Sequence, residues 1–188
     1  MPSIEMKTLK RNRRKSVRRN TEGSVAIEFA FIAPIFCLMI FGIIETSLAW
    51  FGGIVLENGM GTIARQIRTG QAAAASMTQA QFRQALCNQV SQLLSCASNR
   101  LYIDVTASSN FSGTTFTNPL NPDGTFNTSL NNYNVGASSQ LSGTNSIVLV
   151  RAFYVWHLTT PLLGSLYANM PGNDRLLSAS AVFRNEPF

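Results

Sequence analysis

The sequence predicts an α+β protein: a long N-terminal transmembrane helix, then a small head in which an amphipathic helix packs against an antiparallel sheet. Three observations carry this. Residues 24–44 form an apolar run of twenty-one residues interrupted only by Glu28, and a bilayer core of about 30 Å needs ~20 helical residues. Phe82, Leu86, Val90, Leu93 and Ala97 recur at helical spacing, which marks a helix with one core-facing stripe. Two later stretches, Ser146–Leu158 and the segment around Leu177–Phe183, alternate in register with a strand and are rich in β-branched and aromatic residues.

Charge placement orients the first element. The 188 residues carry a formal net charge of +6. Residues 1–22 hold eight basic and two acidic residues, and the remainder holds seven of each. A domain built to hold nucleic acid carries its basic charge on the fold itself, so no nucleic-acid partner is expected. A basic segment before an apolar span belongs on the cytoplasmic side, with the chain continuing outward. The span exceeds the apolar stretch of an ordinary signal peptide, and Thr46-Ser47-Leu48-Ala49-Trp50 is a poor cleavage site, so a retained anchor is expected. Glu28 stands four residues into the run. It either rests at headgroup level near the positive end of the helix dipole or needs a partner charge inside the membrane; sequence alone leaves both open. Glu45, at the far edge, is expected to reach water.

Beyond the membrane, Leu48, Phe51, Val55, Ile63 and Ile67 suggest a helical stripe continuing to about Gln66, softened by Gly52, Gly53, Gly59 and Gly61. These small residues also permit close approach of another helix. Residues 71–76 are an Ala-rich connector, and Thr78-Gln79-Ala80-Gln81 has capping-box spacing at the start of the second helix. Leu101, Ile103 and Val105 open a first strand. Thr160-Pro161 is a start signal for a short helix through Tyr167. The domain organisation is therefore a leader over 1–23, a span over 24–45, a helical extension over 46–70 and a head over 71–188. Within the head, residues 107–145 are crowded with Asn, Ser, Gly and Thr and are expected to form a long loop burying little apolar surface.

Gly23-Ser24-Val25-Ala26-Ile27-Glu28-Phe29, after a basic leader and before an apolar run, resembles the processing site of type IV-like prepilins. With Ala30, Pro34 and Phe41-Gly42-Ile43-Ile44-Glu45 it looks like the TadE-like pseudopilins, minor components of Tad (Flp) pilus assembly systems. The ending Phe183-Arg184-Asn185-Glu186-Pro187-Phe188 is similar as well. The resemblance implies cleavage by a membrane prepilin peptidase after Gly23, leaving Ser24 as the new N-terminus. It also implies packing through Glu28, Phe29 and Pro34 against other pilin and pseudopilin subunits, and association with the Tad machinery of the bacterial inner membrane. The head would then be periplasmic and share the plan of pilin heads. The large C-terminal region departs from major pilins and marks an accessory role.

An oxidising periplasm makes Cys87 and Cys96 a candidate disulfide, whereas Cys37 lies in the span. Nine residues along a continuous helix separate Cα atoms by ~13.5 Å, beyond the ~7 Å limit for a disulfide. A bond therefore requires the helix to end around Val90–Leu93 and the chain to fold back. No catalytic constellation emerges: His157 is the single histidine, no Cys/His metal spacing appears, and no phosphate-binding glycine loop follows a strand. Neither an enzyme nor a cofactor is expected. The alternative to a pseudopilin is an unprocessed single-pass membrane-anchored periplasmic binding or scaffold protein.

Overall fold

A computed structural model describes residues 22–97, 99–133, 146–160 and 163–186. Much of the leader, residues 134–145 and the last two residues lie outside the described residues. The chain divides into two units, residues 1–37 and 38–188. In the first, residues 23–37 are helical, and their large apolar side chains, among them Phe29, Phe31 and Ile35, are exposed.

The second unit is α+β. Helix α1 runs Glu22–Arg68 without a break at the glycines, and Gly70, at φ 74°, follows its end. Glycine carries that left-handed conformation without a Cβ clash. A short α2 (Gln71–Ala74) occupies the Ala-rich connector. Helix α3 spans Gln79–Val90, opened by the expected capping box: Thr78 Oγ1 accepts from Gln81 N, and Thr78 N donates to Gln81 Oε1. Strands β1 (Leu101–Ser108), β2 (Ile147–His157) and β3 (Asp174–Arg184) form one antiparallel sheet in the order β1-β2-β3. The short α4 (Leu163–Tyr167) lies in the β2–β3 connection.

One face of the sheet meets the helices. Ile103, Val150 and Ala179 share a buried cluster with Leu56, Met60 and Ile63 of α1 and Phe82, Leu86 and Val90 of α3. The face of α1 that packs here keeps Val55, Ile63 and Ile67 of the expected stripe but departs from it nearer the membrane. Leu48 and Phe51 are exposed, while Ala49, Gly52, Leu56, Gly59 and Met60 are buried. Small residues stand between the large ones on that face where it approaches closely. A Cβ at Gly59 would stand 2.7 Å from Val90 Cγ1, and one at Gly52 would stand 3.2 Å from Trp156 Cζ3. Gly52 and Gly59 therefore fit α1 to its own head, whereas a Cβ at Gly53 or Gly61 would meet nothing within 4 Å.

The stripe of α3 also breaks earlier than its spacing suggests. The helix ends at Val90, so Leu94 is buried instead of Leu93, and Ala97 is exposed. Arg83 holds the returning chain, donating to the carbonyls of Cys96, Ala97 and Leu101.

The second face of β2 is buried too, and residues 107–133 cover part of it. Phe126 and Leu130 pack on Phe153, Val155 and Leu176, with Phe126 stacked on Tyr102 at 4.2 Å between centroids. This corrects the expectation of a loop that buries little. Side chains of Asn110, Asn118, Asp123 and Asn127 accept from backbone N–H groups two or three residues on. Such local turns satisfy the backbone without a ladder, so a few apolar residues, Leu120, Phe126, Leu130 and Tyr133, anchor the segment. The Thr125 hydroxyl and backbone N–H hold the Asp123 carboxyl below its ordinary range, and burial pushes the Tyr133 phenol up to about 12.

Candidate functional site

The candidate processing and assembly residues lie at the start of α1. Gly23 and Ser24 are exposed in its first turn, and a Cβ at Gly23 would meet nothing within 4 Å. Ser24 Oγ donates to Glu28 Oε1 at 3.1 Å. Residues four apart share a helix face, so the Ser24 and Glu28 side chains belong to one side of the helix. Phe29 is exposed and Pro34 lies inside the helix. Proline has no N–H to donate to the carbonyl four residues back, which leaves the Ala30 carbonyl without its helical donor. The helix has an apolar window of mean hydropathy 2.5 with none of it buried, long and apolar enough to cross a membrane.

At the other end of that apolar stretch, sequence reasoning missed Glu45. It does not turn to water: it is 7% exposed. Its Oε1 accepts from Thr159 N and, at 3.0 Å, from Thr159 Oγ1; its Oε2 accepts from Thr160 N at 2.8 Å. Two successive backbone N–H groups thus cradle one carboxylate, and the bonds are charge-assisted. Charge alone could not reveal this, because the donors lie over a hundred residues away.

The far end of α1 is clasped by the C-terminal segment. Arg68 Nε and Nη2 donate to Glu186 Oε1 at 3.0 and 2.9 Å, and Glu186 N donates to the Arg68 carbonyl at 3.1 Å. The pair is half exposed; the backbone bond satisfies one of the carbonyls a helix end leaves open.

Within the sheet, Asp104 and Arg151 are cross-strand partners and form a buried ion pair. Arg151 Nε and Nη2 reach Asp104 Oδ2 at 3.1 and 2.8 Å, and Nη1 donates to the Thr117 carbonyl at 3.0 Å. The pair borders a polar cavity of about 290 Å³ also lined by Thr106, Ser108, Ser129 and Asn132. His157 Nδ1 lies 2.8 Å from Asp174 Oδ1 at the end of the β2–β3 ladder, where the two residues are register partners. Cys87 and Cys96 are disulfide-bonded, with Cα atoms 5.8 Å apart; the end of α3 at Val90 permits the return. Cys37 is free and exposed. Among the described residues, no group of three or more His, Cys, Asp or Glu is placed to hold a metal ion.

Residues 23–65 match the family model described as TadE-like protein. A search of curated proteins and one of solved structures returned no match.

Proposed function

We propose, from the TadE-like match over residues 23–65, that this chain is a minor pseudopilin assisting assembly of Tad/Flp-type pili, and not an enzyme. The observation that carries the reading is where the match begins: at Gly23, at the head of an exposed apolar helix with Glu28 and Ser24 on one side.

On this reading a prepilin peptidase cuts after Gly23 at the cytoplasmic face of the bacterial inner membrane. The small residue lets the backbone enter the protease cleft closely. Cleavage removes eight cationic side chains that would otherwise hold the helix end against anionic headgroups at about 1 kcal/mol each. It also creates an α-amine on Ser24. Glu28 is then the fifth residue of the mature chain, and its carboxylate pairs with the amine of a neighbouring pilin or pseudopilin subunit. In a low-dielectric environment an unpaired carboxylate is costly, so the pair sets the stagger between helices. The head stands in the periplasm, where a Cys87–Cys96 disulfide is maintained.

The reading is tested by complementing a deletion of this gene made in a piliated strain. Glu28→Ala is expected to be cut and inserted as the parent is, yet to leave the cells without pili under the electron microscope. Normal piliation would remove the role assigned to Glu28.

A further inference from the structure

The head and α1 meet at a level that the membrane-spanning reading fixes. Ser24 to Ile44 is twenty-one residues, about 31 Å of helix, which matches a hydrocarbon core of about 30 Å. Gly42 is then at the edge of that core, and Trp50, six residues past Ile44, is ~9 Å farther out among the headgroups. Yet the head already touches α1 at this depth. Leu163 Cδ2 of α4 is 3.9 Å from the position a Cβ on Gly42 would take, and Thr159 and Thr160 bind Glu45.

The surface at that level has the chemistry of an interface with lipid. Trp50 is 70% and Leu166 81% exposed, and α4 carries no charged residue. A cleft of about 410 Å³ is walled by Leu38, Phe41, Ile44, Leu48 and Trp156. Trp156, half-buried, walls this cleft, and an indole's largely apolar body suits the membrane boundary. Of the acidic groups in this region, Glu45 is capped and Asp174 is paired with His157. Arg175 stacks over Tyr167 at 3.7 Å and donates to its carbonyl, which puts a cation beside α4, where anionic headgroups lie.

We propose that the base of the head, formed by α4, the Thr159–Thr160 turn and the cleft beside Trp156, docks on membrane phospholipid. The cleft takes an acyl chain, and α4 lies in the interfacial layer. This rests on α1 crossing the membrane.

The test uses the full chain in phosphatidylcholine–phosphatidylglycerol vesicles, with or without phospholipid brominated near the top of its acyl chains. In the Trp50→Phe protein, Trp156 is the sole indole. Two further proteins, with both native tryptophans changed to Phe, carry Phe36→Trp in the span or Phe111→Trp past the far end of β1. Brominated lipid is expected to quench Trp156 and the reporter at 36, and to leave the reporter at 111 unchanged. Quenching at 36 without quenching of Trp156 would overturn the docking proposal and leave the span intact. No quenching at 36 would overturn the span and the docking with it. Equal quenching of Trp156 and the reporter at 111 would also overturn it, because the whole head would then lie on lipid.

Discussion

Replacing Arg151 with alanine is expected to lower the stability of the head by about 3–5 kcal/mol, the cost of stranding a buried charge. The Asp104 side chain is 1% exposed and the Arg151 side chain 7%. Arg151 supplies the donors to Asp104 Oδ2 and a bond to the Thr117 carbonyl. Its loss leaves a carboxylate between β1 and the segment that covers the sheet, with no cation to offset its desolvation. The double variant Asp104→Leu/Arg151→Met is expected to recover much of the loss, since apolar replacement of a buried pair is often neutral or stabilising. Denaturant titration of the detergent-solubilised protein, followed by near-UV circular dichroism, measures both. An Arg151→Ala midpoint equal to that of the parent would show that water enters the cavity and solvates Asp104.

Replacing Glu45 with alanine is expected to cost about 2–3 kcal/mol, the upper range for hydrogen bonds to a charged acceptor. The Thr160 N–H would lose its acceptor in a buried position and the Thr159 N–H in a partly buried one. The effect should be local: hydrogen exchange is expected to rise at 158–167 and to stay unchanged along the β1–β2 ladder. Glu45→Gln keeps an acceptor oxygen and should fall between the parent and the alanine variant. Unchanged exchange at Thr159 and Thr160 in the alanine variant would mean that the turn is held by other contacts.

Much of the fold is legible in the sequence because its signals are local. The apolar run, the capping box at Thr78–Gln81 and the alternation along Ile147–His157 each need only a few neighbouring residues. The α+β class follows from them. The packing face of α1 was less legible because close approach selects Ala49, Gly52 and Gly59, and counting large apolar residues picks out Leu48 and Phe51 instead. The cover over the second sheet face was hidden for a related reason. Phe126 and Leu130 are scattered among turn-forming residues, whose Asx-type bonds composition does not count. Asp104 and Arg151 are separated by forty-seven residues, and Glu45 and Thr159 by 114. Such pairs become visible only once strand order and the path of the β2–β3 connection are known. The roles given to Gly23, Ser24, Phe29 and Pro34 come by resemblance, whereas Glu28 also stands out as the one charge within the apolar run.

A pseudopilin of this kind loses its leader at Gly23. The direct measurement is N-terminal sequencing of the membrane-extracted protein after co-expression with its cognate prepilin peptidase, beside a sample made with an inactive peptidase. The account predicts a chain beginning Ser24-Val25-Ala26-Ile27-Glu28 with the active enzyme and an uncut leader with the inactive one. A leader retained in both samples would contradict it and favour an unprocessed, membrane-anchored protein.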